Sequence, residues 1–149
     1  MRKRTKAREL ALQMLYELEI RKEPLKSFLD EFWKMPFKER ESVEKQVKDF
    51  ANSLVEGTIE HISEIDKLIS SYAQNWQLKR MAVIDKNIIR MGAFELLFLE
   101  GIPPKVSLNE AVELAKKYGD TESSKFVNGI LDRVNKEKVL KKENNAKES

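Results

Sequence analysis

Asp85-Lys86-Asn87-Ile88-Ile89-Arg90-Met91-Gly92-Ala93-Phe94-Glu95-Leu96-Leu97-Phe98-Leu99 is the stretch that decides the fold. Ile88, Ile89, Met91, Ala93, Phe94, Leu96, Leu97, Phe98 and Leu99 leave almost no helical face polar, and a helix that is apolar all round belongs at the centre of a bundle. It is shorter than the ~20 residues a membrane span requires. Gly101 and the Pro103-Pro104 pair end it. Downstream, Ser107-Leu108-Asn109-Glu110 has the capping-box pattern and is expected to open a helix with Leu108, Ala111, Val112, Ala115 and Tyr118 inward. Gly119 suits the stop of that helix. Asp120 or Thr121 then caps a last helix carrying Phe126, Val127, Ile130, Leu131 and Val134. Gly129 within it costs ~1 kcal/mol against Ala, which predicts close packing on another helix. Residues 139–149 are polar, have little to bury, and are expected to be disordered.

Upstream, residues 75–85 read as a loop, and the helical period resumes before them. Ser63 with Asp66 is placed to cap a short helix burying Ile65, Leu68, Ile69 and Tyr72. Val43, Val47, Phe50, Ala51, Leu54, Val55, Thr58 and Ile62 form a longer stripe. Leu25, Phe28, Leu29 and Phe32 repeat the pattern over a short helix closed by Pro36. Ala7, Leu10, Ala11, Met14, Leu15 and Leu18 define a first amphipathic helix that stops before Pro24. No stretch alternates with period two. The expectation is an all-α protein of about seven helices in two packed helical subdomains, about 1–75 and 76–138.

Composition narrows the chemistry. The chain has 149 residues, no Cys and one His, which excludes disulfide frameworks, thiolate nucleophiles, Cys-ligated zinc and multi-His metal sites. It lacks a glycine-rich phosphate loop, a Gly-x-Ser-x-Gly elbow and a calcium loop. Glu110 and Glu113 sit one turn apart as solvated helix acids do. His61 reads as an ordinary surface or half-buried histidine, and Trp33 and Trp76 as packing aromatics near helix ends. The expectation is therefore no enzyme, no metal and no cofactor. The basic start lacks the apolar core of a signal peptide, so a cytoplasmic protein without membrane attachment is expected.

The net charge of +3 is unevenly placed. Arg2, Lys3, Arg4, Lys6 and Arg8 give residues 1–8 a charge of +5, residues 133–149 carry +3, and the body between them carries −5. Such asymmetry points to a polyanion at the termini. Arg offers planar forks that match phosphate, and Lys offers movable point charges. A merely solvated tail is the bland alternative, and composition alone leaves the two open. An anionic membrane surface fits less well, because Glu9, Glu17 and Glu19 follow on the same helix. A second candidate is Gly119-Asp120-Thr121-Glu122-Ser123-Ser124-Lys125-Phe126-Val127-Asn128-Gly129. Free N–H groups at a helix start can receive a phosphate or a base edge, and an exposed Phe126 would stack a base. The helical pattern by itself favours Phe126 as core.

Five segments in order then carry a resemblance. They are Lys6-Ala7-Arg8-Glu9-Leu10-Ala11-Leu12-Gln13-Met14-Leu15-Tyr16; Asn75-Trp76 with Arg80-Met81-Ala82-Val83-Ile84-Asp85; and Ile88-Ile89-Arg90-Met91-Gly92-Ala93-Phe94-Glu95-Leu96-Leu97. Ile102-Pro103 with Val106-Ser107-Leu108-Asn109-Glu110-Ala111-Val112-Glu113-Leu114-Ala115-Lys116 and Phe126-Val127-Asn128-Gly129-Ile130-Leu131-Asp132 complete the set. From about residue 2 to 135 the chain resembles the NusB family of bacterial transcription antitermination factors. The resemblance implies an all-helical fold that binds the single-stranded boxA element of ribosomal RNA leaders. It implies a heterodimer with NusE, a small-subunit ribosomal protein, acting on RNA polymerase to resist termination. It places RNA contacts on Arg2, Lys3, Arg4, Lys6, Arg8, Arg90, Glu122, Lys125 and Phe126, and NusE contacts on Tyr16 and Asp85. Thr5 and Lys6 stand where the family often has Arg. The rival expectations are a protein-only helical scaffold or homodimer, and a stand-alone module related to the N-terminal domain of ribosomal RNA cytosine methyltransferases.

Overall fold

The computed structural model describes residues 2–34, 43–72 and 81–148, and all of its regular structure is helical. Trp76, Asn75, Arg80 and Pro36 lie outside the described residues. Seven helices are described: α1 (Lys3–Arg21), α2 (Leu25–Lys34), α3 (Lys45–Glu60), α4 (Ile62–Tyr72), α5 (Val83–Phe98), α6 (Pro104–Tyr118) and α7 (Ser123–Glu148). They fall into two compact units, the first ending at Glu60 and the second beginning at His61. That division precedes the break the sequence suggests near residue 75, because α4 packs on α5 and α7 and so belongs with the second unit.

In the first unit α1 lies along α3, with α2 more lightly attached to α1. The stripe Ala7, Leu10, Ala11, Met14, Leu15 and Leu18 is buried as its spacing requires, and so is Val47, Ala51, Leu54, Val55 and Thr58 of α3. The first helix ends where Lys22 turns left-handed (φ 54°) and its N–H bonds the Leu18 carbonyl at 2.9 Å, two residues ahead of Pro24. On α2, Phe28, Leu29 and Phe32 face inward. Trp33 is half-buried, its ring edge-on to Phe32 and its Nε1 donating to Asn52 Oδ1 at 2.9 Å.

The second unit is built around α5, which contacts α4, α6 and α7 and buries Asn87, Ile88, Ile89, Met91, Gly92, Ala93, Phe94, Glu95 and Leu96. Gly92 is the close-packing glycine. A Cβ there would stand 2.6 Å from Leu131 Cδ1 and 3.5 Å from the Ala111 Cβ, so its bareness lets α6 and α7 approach α5. Gly129, expected to play this part, is exposed with open space around it. Helical period alone does not say which glycine meets a neighbour.

Three local expectations are corrected. The helix expected to open at Ser107 starts at Pro104, where proline at the first helical position is preorganised and its missing N–H costs nothing. Ser107 is then interior and buried, donating its hydroxyl to Glu95 Oε1 at 3.0 Å, while Ala111, Leu114 and Ala115 form the inward face and Tyr118 is exposed. Helix α4 begins at Ile62, not after Ser63, with the His61 carbonyl accepting from the Ile65 N–H. Finally, α7 continues to Glu148 across the segment whose composition predicts disorder. Lys and Glu are good helix formers, Lys136 pairs with Asp132 one turn back, Glu137 accepts from the Tyr72 hydroxyl, and Lys138 caps the Leu96 carbonyl.

Candidate nucleic-acid interface

The basic arm is the first turns of α1. Arg2 is its N-cap, in extended conformation, with its carbonyl accepting from the Lys6 N–H at 3.0 Å. No acidic residue stands in the first turn. Cations at a helix N-terminus oppose the macrodipole, each at a cost of ~0.3–1 kcal/mol, so the sequence here works against helix stability. Arg2, Lys3, Arg4 and Lys6 are exposed. Lys3 Nζ lies 2.8 Å from Glu44 Oε2, both side chains being more than half exposed, and such a pair contributes ~0–1 kcal/mol. The Arg4 guanidinium sits over the Phe50 ring, 4.8 Å from its centroid.

Arg8 departs from the expected set. It is 1% exposed, with its guanidinium 5.5 Å from the same Phe50 centroid. Spacing places it one turn beyond Arg4, and that turn already faces α3. The exposed cations of the arm are therefore Arg2, Lys3, Arg4 and Lys6.

The second patch opens α7. Asp120 Oδ1 accepts from the Glu122 N–H at 3.0 Å and from the Ser123 N–H and hydroxyl at 3.1 Å, while Ser123 Oγ accepts from the Asp120 N–H at 3.0 Å. This reciprocal cap resolves the choice between Asp120 and Thr121 in favour of Asp120. It also narrows the picture of free N–H groups awaiting a phosphate, since a carboxylate already takes the Glu122 and Ser123 donors. Glu122 and Lys125 are exposed, and Phe126 is half-buried, neither sealed in the core nor fully open. Val127, Ile130 and Leu131 supply the helix's inward face.

Arg90 is engaged within the second unit. Its Nε and Nη2 donate to the two carboxylate oxygens of Asp66 at 2.8 and 2.7 Å, Nη1 reaches Asn87 Oδ1 at 3.3 Å, and its side chain is 12% exposed. A bidentate fork of this kind locks α4 to α5. Tyr16 is 40% exposed on α1, and Ile20, one turn further and unremarked in the sequence, is 62% exposed. Together they make an apolar outward strip that an i, i+4 reading would have found. Asp85 stands in the first turn of α5 with Oδ1 buried and without a hydrogen-bond partner among the described residues. His61 stacks on Phe98 at 3.8 Å between centroids. An open groove of about 680 Å³ between α2 and α3 is lined by Trp33, Lys26, Lys34, Lys48, Asp30 and Glu56 among others. Among the described residues no three His, Asp or Glu gather to hold a metal, and no helix is long and apolar enough to cross a membrane.

Helical packing throughout the described residues, with an exposed cationic arm and an aromatic-bearing helix start, defines a small all-helical binding protein. The chain belongs to the NusB family, transcription antitermination factors that are not enzymes, and the family model matches residues 5–136. Arg2, Lys3 and Arg4 precede that range. The chain is 49% identical over 145 residues to the transcription antitermination protein NusB of Thermodesulfovibrio yellowstonii, covering 92% of this chain and 94% of the relative. Among solved structures it is similar to T. maritima NusB, with a TM-score of 0.80, 41% identity and coverage of 90% and 91% of the two chains. It is also similar, at a TM-score of 0.79 and 32% identity, to a chain from a crystal structure of the antitermination factors NusB and NusE in complex with dsRNA; 91% of this chain and 98% of that one are covered.

Proposed function

We propose that this chain is a cytoplasmic RNA-binding adaptor of antitermination, which binds single-stranded boxA-type RNA together with NusE and joins an RNA polymerase complex. The observation that carries the reading is the acid-free first turn of α1, where Arg2, Lys3, Arg4 and Lys6 stand exposed against the helix dipole. Phosphates bound there gain from the four charges, and their released counterions make the affinity salt-dependent. Lys125 adds a cation on the second unit, half-buried Phe126 offers part of a ring to a base, and Glu122 beside them repels a misplaced phosphate. Arg90 and Arg8 leave the proposed contact set, because one is forked to Asp66 and the other is sealed. Tyr16 and Asp85 remain the proposed NusE contacts, now joined by Ile20.

Fluorescence anisotropy with boxA-like and scrambled single strands, with and without NusE, tests this reading. The duplex is titrated beside them, since the related NusB–NusE structure holds dsRNA. The log–log salt slope should be about −2.8 for the four arm cations and about −3.5 when Lys125 adds a fifth. Changing Arg2, Lys3, Arg4 and Lys6 together to Gln should remove most of the affinity. Unchanged RNA binding by that variant would remove the arm from the RNA site. No RNA binding by the unmodified chain would favour a protein-only scaffold, and sedimentation of the free chain reports whether such a scaffold is a homodimer.

A further inference from the structure

Two guanidinium groups from successive turns of α1 share one aromatic ring. Those of Arg4 and Arg8 lie over Phe50 of α3, 4.8 and 5.5 Å from its centroid. The three residues differ in exposure: Arg8 is buried, Phe50 is half-buried and Arg4 is open to solvent. The ring thus links a sealed arginine to an exposed one. An aromatic face attracts a cation through its quadrupole and carries no charge of its own. It therefore holds a guanidinium in place without neutralising it and without using any of its N–H donors. The contrast stands one residue away, where Lys3 is paired with the Glu44 carboxylate, a weak exposed contact that an incoming phosphate has to displace.

We propose that Phe50 is a positioning residue for the nucleic-acid arm, fixing the Arg4 guanidinium so that its donors meet a phosphate with few rotamers left to lose. The proposal rests on the reading that Arg4 contacts RNA. Arg suits this double use, because its planar group can lie against a ring while its edge forks a phosphate. Phe50 is legible in the sequence only as one member of a core stripe. What sets it apart is that the helix packed on its face brings two arginines at an i, i+4 spacing.

A double-mutant cycle on RNA affinity tests the assignment, using the full chain and a boxA-like single strand at fixed salt. Arg4→Gln and Phe50→Leu should each weaken binding about three- to tenfold, and Phe50→Tyr, which keeps the ring face, should bind like the unmodified protein. In the Arg4→Gln background most of the Phe50→Leu effect should vanish. A loss acting only through the fold would weaken the Arg4→Gln protein by the same factor, and that additivity would overturn the role of Phe50. So would full affinity in Phe50→Leu alongside a weakened Arg4→Gln. If Arg4→Gln itself binds normally, the RNA reading of Arg4 is what fails.

Discussion

Replacing Asp66 with Ala takes away the carboxylate that accepts two short, charge-assisted hydrogen bonds, at 2.8 and 2.7 Å, from an arginine only 12% exposed. Removing one member of a buried ion pair costs ~3–5 kcal/mol, because the other charge is left in a poor solvent. Asp66 itself is 26% exposed, and Asn87 still accepts from Nη1 at 3.3 Å, so solvent screening and the remaining bond bring the expected loss to roughly 2–3 kcal/mol. For a chain of this length each kcal/mol moves the midpoint by about 2–4 °C, which gives a fall in Tm of roughly 4–12 °C by far-UV circular dichroism. Substituting both partners, Asp66→Leu with Arg90→Met, should recover stability to within about 1 kcal/mol, since neither charge then needs desolvating. The double variant should also bind RNA as the unmodified chain does. An unchanged midpoint in Asp66→Ala would refute the energetic argument. A well-folded double variant that loses RNA affinity would refute the assignment of Arg90 to structure and return it to the RNA.

The two helical glycines should respond in opposite directions to alanine. Gly92→Ala forces Leu131 to shift and should cost ~1–3 kcal/mol despite better propensity, whereas exposed Gly129→Ala should gain up to ~1 kcal/mol; urea melts compare them. Ser107→Ala removes a donor from the buried Glu95 carboxylate and should lower stability by ~1–3 kcal/mol in the same assay. Asp120→Ala should cost ~0.5–2 kcal/mol through loss of the α7 cap, with Asp120→Asn retaining most of it; denaturant midpoints of the two variants decide the matter.

Sequence period sufficed wherever one face of a helix met one neighbour. The stripes of α1 and α3 and the all-round apolarity of α5 are of this kind, and they delivered the helical class and the central element. It failed where the deciding partner lies on another helix. Ser107 has the signature of a cap, but Glu95 on α5 draws it inside, and Pro104 has already started the helix. Arg8 looks like any other arm cation until α3 covers its turn. Arg90 sits in a recognisable motif, yet the residue that claims it, Asp66, is on α4 and reads in sequence as a cap. Phe126, which the helical pattern favours as core, is half-buried in the structure, because it borders the apolar face of α7 without being central to it.

The carboxylate that closes the start of α7 has a wider consequence. An open helix terminus is indiscriminate, accepting free nucleotides, transfer RNA and chromosomal DNA by the same partial charge. Asp120 takes two of the N–H donors at this terminus and sets its own negative charge there, which should lower such general binding. In a cell where ~10⁶–10⁹ unrelated sites compete for every nucleic-acid binder, lowering background occupancy raises the fraction of protein left for its own target, even with no added contact to that target. If Lys125 and Phe126 meet RNA as proposed, selectivity at this end of the molecule depends as much on what the helix is prevented from holding as on what those two side chains can grasp.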